Sequence, residues 1–157
     1  MTTVTLPTVP PPRHLTVAPG RSLAELTAWY GPLPVRRRRV PLAAASVEMP
    51  QDAEQPSLRQ PSFRFEFDDR ELRAVLTSEQ VDTVPGDRLQ LTGDLTLNGV
   101  AFPVLLRLRV VERAEDLLLV VGTARLPYRL LRRATGFRLP WRLPATRLRL
   151  LVAVEFA

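Results

Sequence analysis

Between Arg88 and Val111 apolar side chains recur at every second position, and Asn98-Gly99 divides the run near its middle. Leu89, Leu91, Gly93, Leu95 and Leu97 alternate with Arg88, Gln90, Thr92, Asp94 and Thr96. Beyond the division, Phe102, Val104, Leu106, Leu108 and Val110 alternate with Leu105, Arg107, Arg109 and Val111. Successive strand side chains point to opposite faces, so a period of two marks a sheet with one buried face. Asn and Gly both tolerate the positive φ of a two-residue type I′ turn, and the pair predicts a hairpin. Pro103 lies close to the turn, where a missing N–H is tolerated.

The same period returns elsewhere. Phe63, Phe65 and Phe67 alternate with Arg64, Glu66 and Asp68, and Leu72, Ala74 and Leu76 resume it after Asp68-Asp69. Pro85-Gly86-Asp87 and the run Glu112 to Asp116 read as turns. Residues 117–125 form a further strand, apolar on both faces. At the C-terminus Leu148, Leu150, Val152, Val154 and Phe156 oppose Arg147, Arg149, Leu151, Ala153 and Glu155. At least five strands without a helical period predict an all-β, antiparallel fold. Closure into a barrel removes the exposed edges. The expected organisation is one barrel domain over 14–157 behind a disordered tail, 1–13. That tail holds Pro7, Pro10, Pro11 and Pro12, and reads as an SH3-type ligand or a loose terminus.

Two stretches resist this reading. In residues 15–50, Ser22 and Glu25 match a helix capping box, which Gly31-Pro32 would end within about two turns. The alternative is a strand with Leu23, Glu25 and Thr27 on one face and Ala24, Leu26 and Ala28 on the other. Residues 50–61 are polar and proline-bounded, a loop. Residues 125–146 repeat a short phrase, Arg125-Leu-Pro-Tyr-Arg-Leu130 and Arg138-Leu-Pro-Trp-Arg-Leu143. They read either as an irregular hairpin about Thr135-Gly136 or as an arginine–aromatic surface.

Composition narrows the chemistry. There is no cysteine and a single histidine, His14, beside the proline tail. Disulfides, thiolate chemistry and multi-histidine metal sites are excluded, and His14 is poorly placed for a held general base. Asp68-Asp69 and Glu115-Asp116 are turn acids whose neighbours point apart, so no catalytic residue is assigned and the chain is read as a non-enzyme. All 22 basic residues are arginine, with no lysine or isoleucine, which codon bias explains as readily as function does. Residues 100–157 carry eleven of them against four acids. A basic half of this kind attracts nucleic acid, anionic surfaces or acidic ligands. No signal peptide and no apolar run of membrane-spanning length is present, so a cytoplasmic location is expected.

The stretch Ala74–Leu108 resembles the YceI-like family. The matching residues are Thr77-Ser78, Val81, Gly93-Asp94-Leu95-Thr96-Leu97, Gly99-Val100 and Pro103-Val104. Weaker echoes lie at Arg21-Ser22 and across 122–137. Asn98 stands where that family commonly has histidine, a change expected to touch the turn and little else. The segment 50–62 is shortened and proline-bearing relative to the family. The resemblance implies a lipocalin-like antiparallel barrel of about eight strands. It also implies non-enzymatic carriage of a hydrophobic, chain-like ligand, an isoprenoid or isoprenoid quinone, with no other cofactor and no metal.

On this reading Phe63, Phe65, Phe67, Leu91, Leu95, Leu97, Phe102, Leu106, Leu108, Leu148, Leu150 and Val152 line the interior. They either pack a full core or wall an apolar slot. Tyr128, Phe137 and Trp141, with a basic rim of Arg125, Arg129, Arg138 and Arg142, would border the mouth. The expected partner is a hydrophobic small molecule, with an anionic membrane surface and a second copy of the chain left open. A basic module for single-stranded nucleic acid is the less favoured alternative.

Overall fold

The computed structural model describes residues 13–49, 60–70, 72–138 and 145–157. The proline tail before Arg13, most of the 50–61 loop, Trp141 and Arg142 lie outside the described residues. Nine strands and one helix follow in chain order: β1 (Arg13–Tyr30), β2 (Leu33–Arg39), β3 (Leu42–Met49), β4 (Ser62–Asp68), β5 (Arg73–Val84), β6 (Arg88–Leu97), β7 (Val100–Ala114), β8 (Leu117–Leu126), α1 (Tyr128–Thr135) and β9 (Arg147–Phe156).

Each strand from β3 onward pairs antiparallel with the next, and β9 returns to pair with β1. Since β1 also pairs with β3, eight strands close into a barrel. Closure leaves the ring without an open edge. β2 pairs with β1 alone, along Glu25 to Tyr30, while β3 takes the first residues of β1. β2 and β3 are thus one return strand interrupted at Val40-Pro41. Proline has no N–H to give the ladder there, and the Val40 N–H bonds the Ala24 carbonyl instead, at 2.9 Å. Arginines of β2 find acidic partners on neighbouring elements. Arg37 pairs with Glu25 and Arg38 with Asp69 of the β4–β5 turn.

The hairpin at Asn98-Gly99 forms as its residues dictate, with φ of 51° and 76°. The ladder from Arg88↔Arg109 to Leu97↔Val100 runs without a slip. Residues 22–28 are strand and not helix. The capping-box match at Ser22 and Glu25 is overridden because β9 pairs the stretch from Ser22 onward and β2 takes its other edge from Glu25. Ala24, Leu26 and Ala28 turn inward, at 2%, 4% and 0% exposure.

Within 125–146 the described residues do not form the arm of a hairpin before Thr135-Gly136, and 139–144 lie outside the described residues. Tyr128–Thr135 is an α-helix with Tyr128, Leu131 and Thr135 buried. Those positions fall three and four residues apart, on one side of a helix. The left-handed Gly136, at φ 73°, ends it with its N–H on the Arg132 carbonyl.

Candidate functional site

The barrel interior is apolar from end to end. Eleven of the twelve expected interior residues are buried, and Phe102, close to the β6–β7 turn, is half-buried. They join one continuous cluster. At the end away from α1, Phe63, Phe65 and Phe156 meet with ring centroids 6.1–6.2 Å apart. Such aromatic groupings are favourable beyond the area they bury. Phe156 was legible as an alternating C-terminal residue, but nothing local ties it to Phe63.

At the other end α1 lies across the barrel. Leu131 and Phe137 reach down to Leu26, Phe67, Leu95 and Leu150, and enclose a void of about 10 Å³. That is at most the space one water molecule needs. An eight-stranded barrel is just wide enough for side chains to fill or for one small ligand, and here side chains fill it. Tyr128 and Phe137, expected to border the mouth, meet edge to face at 6.5 Å and are buried in this plug. Arg129 and Arg138 are exposed at either end of the helix, and Arg125 is exposed on the outer wall.

Thr135 Oγ1 donates to the Leu131 carbonyl at 2.7 Å and accepts from the Phe137 N–H at 3.2 Å. Asn98 Nδ2 donates to the Thr135 carbonyl at 3.0 Å. Asn98 therefore does more than shape its turn, because its side chain reaches the helix.

The titratable residues are spread over the surface. His14 Nδ1 lies 3.7 Å from Glu48 Oε1 on the neighbouring strand, and both side chains are exposed. Asp68 pairs with Arg73, Asp69 with Arg38 and Asp116 with Arg13, so the turn acids serve as ion-pair partners. No group of three or more His, Cys, Asp or Glu among the described residues could hold a metal ion. No helix among them is long and apolar enough to cross a membrane.

These features define a closed, eight-stranded, antiparallel barrel of the lipocalin-like class. Among solved structures, the fold is similar to that of BcnA from Burkholderia cenocepacia. The TM-score is 0.66 at 15% identity, covering 88% of this chain and 98% of that one. No family model matches the sequence, and no curated protein matches it. At that identity the likeness is one of fold.

Proposed function

We propose that this chain is a non-enzymatic binding protein that takes a hydrophobic, chain-like ligand into the α1 end of its barrel. One observation carries the reading: that end is closed by an eight-residue helix resting over a small apolar void. A short helix packed through Tyr128, Leu131 and Phe137 is a weaker closure than a strand ladder. The YceI-like residues of 74–108 add the class of guest, an isoprenoid or similar chain.

The energetics select for length. Withdrawing Leu131 and Phe137 from the interior costs about 1.5–3 kcal/mol each, while each ligand methylene buried returns ~0.8 kcal/mol. A guest therefore needs roughly four to eight buried methylene groups before uptake is favourable. Short apolar molecules fail that test and long chains pass it.

Native mass spectrometry of freshly purified protein tests the proposal, before and after incubation with a long-chain isoprenoid quinone. The expected result is a one-to-one apolar adduct. Bare protein in both preparations would leave the alternative, a barrel whose core is simply full.

A further inference from the structure

The outer wall of the barrel carries a second feature, independent of the interior. β7, β8, β9 and the end of β1 lie side by side, and their outward side chains border a cleft of about 450 Å³. Arg107, Arg125, Arg147 and Arg149 line it, together with Trp29 and Leu105. A concavity of this size suits a small ligand.

One contact in the cleft is costly without an anion. Arg125 and Arg149 are direct cross-strand partners. Like charges directly opposite one another destabilise a sheet. None of the four arginines has a carboxylate partner among the described residues, although Arg13, Arg21, Arg37, Arg38, Arg64 and Arg73 each have one. The Arg147 guanidinium instead lies 5.2 Å from the Trp29 ring. The indole N–H of Trp29 is buried and has no acceptor among the described residues. A buried donor left unpaired is unusual. The wall thus concentrates positive charge that no carboxylate among the described residues answers.

We infer that this cleft is a binding site for a compact phosphorylated anion, carrying at least a diphosphate. Guanidinium forks match phosphoryl oxygens two at a time, and one multiply charged group relieves the repulsion of several arginines together. Leu105 supplies an apolar flank for the organic part of a phosphate ester. A single-stranded nucleic acid fits less well. It needs a series of open aromatic faces, and Trp29, the one aromatic among the described lining residues, already carries Arg147. A second cross-strand arginine pair, Arg88 with Arg109, adds to the field that draws an anion to this wall.

The test is calorimetric titration of the full chain with inorganic orthophosphate, pyrophosphate and triphosphate at constant ionic strength. The expected result is saturable one-to-one binding that tightens from orthophosphate to triphosphate. Arg125→Gln and Arg149→Gln should each weaken pyrophosphate binding at least tenfold. Both should keep or raise the melting temperature, because each relieves the facing pair, so that loss of binding is not loss of folding. Arg113→Gln, an exposed charge elsewhere on β7, should leave affinity unchanged. Absence of saturation overturns the proposal, as does an equal loss in Arg113→Gln. Tighter binding of a single-stranded oligonucleotide that displaces pyrophosphate overturns it in favour of a nucleic-acid surface. Sedimentation with vesicles containing anionic phospholipid, without binding of soluble pyrophosphate, overturns it in favour of a membrane face.

Discussion

Asn98 donates a hydrogen bond from Nδ2 to the carbonyl oxygen of Thr135, 3.0 Å away, and so ties the β6–β7 turn to the last residue of α1. The residues are 37 apart in sequence. The same side chain belongs to a residue that holds a left-handed φ of 51°. Turn geometry and helix anchorage thus meet at one position.

Asn98→Gly separates the two roles, because glycine keeps the turn conformation and loses the amide. The anchoring bond should be worth about 1 kcal/mol. Hydrogen exchange of the α1 amides should then accelerate roughly fivefold, while the β6–β7 ladder stays as protected as before. Unchanged α1 exchange would show that the bond anchors nothing.

Gly122 faces into the filled interior from β8, and a Cβ there would lie 2.4 Å from Leu108 Cδ2. Gly122→Ala should therefore destabilise the fold by about 1–3 kcal/mol through overpacking. Leu108→Ala alone should cost about 2–5 kcal/mol by leaving a cavity. The double variant should be less damaged than the two costs combined, because the new methyl enters the space the leucine vacates. Chemical denaturation of the three variants measures this, and strict additivity would contradict the packing described.

Glu79 and Asp94 bring two carboxyls together on the surface. The hydrogen bond with Asp94, then its charge, then slight desolvation raise the Glu79 pKa above the ordinary carboxylate value. The folded chain thus holds this proton more tightly than the unfolded chain does. The stabilisation is fully present below the ordinary glutamate pKa and is lost as pH rises through the raised value. Asp94→Asn removes the negative neighbour. Melting temperature measured from pH 4 to pH 7 should fall less steeply with rising pH in that variant than in the wild type. Parallel profiles would contradict the coupling.

The strands were legible because their partners enforce what the period of two already says. Phe63, Phe65 and Phe67 alternate in sequence and are buried in the barrel, and Asn98-Gly99 names its own turn. The helix was less legible. Tyr128, Leu131 and Thr135 lie at helical spacing and Gly136 is a fitting terminator, but the repeated Arg-Leu-Pro-aromatic phrase spans the helix start and obscures that spacing. Residues 22–28 satisfied helix and strand signals equally, and only the ladders with β9 and β2 decide between them. The facing of Arg125 and Arg149 depends on the β8–β9 register, which no local pattern encodes. Whether the interior is hollow depends on where Leu131 and Phe137 come to rest, a property of the closed barrel and not of either segment.

Titration of the wild-type chain and of Leu131→Ala with a fluorescent long-chain polyene fatty acid bears most directly on the proposed uptake beneath α1. The account predicts saturable one-to-one binding by both. The variant should bind roughly tenfold tighter or more, because a guest no longer displaces a buried leucine worth about 1.5–3 kcal/mol. Failure of both proteins to bind, with the variant still folded, would contradict it.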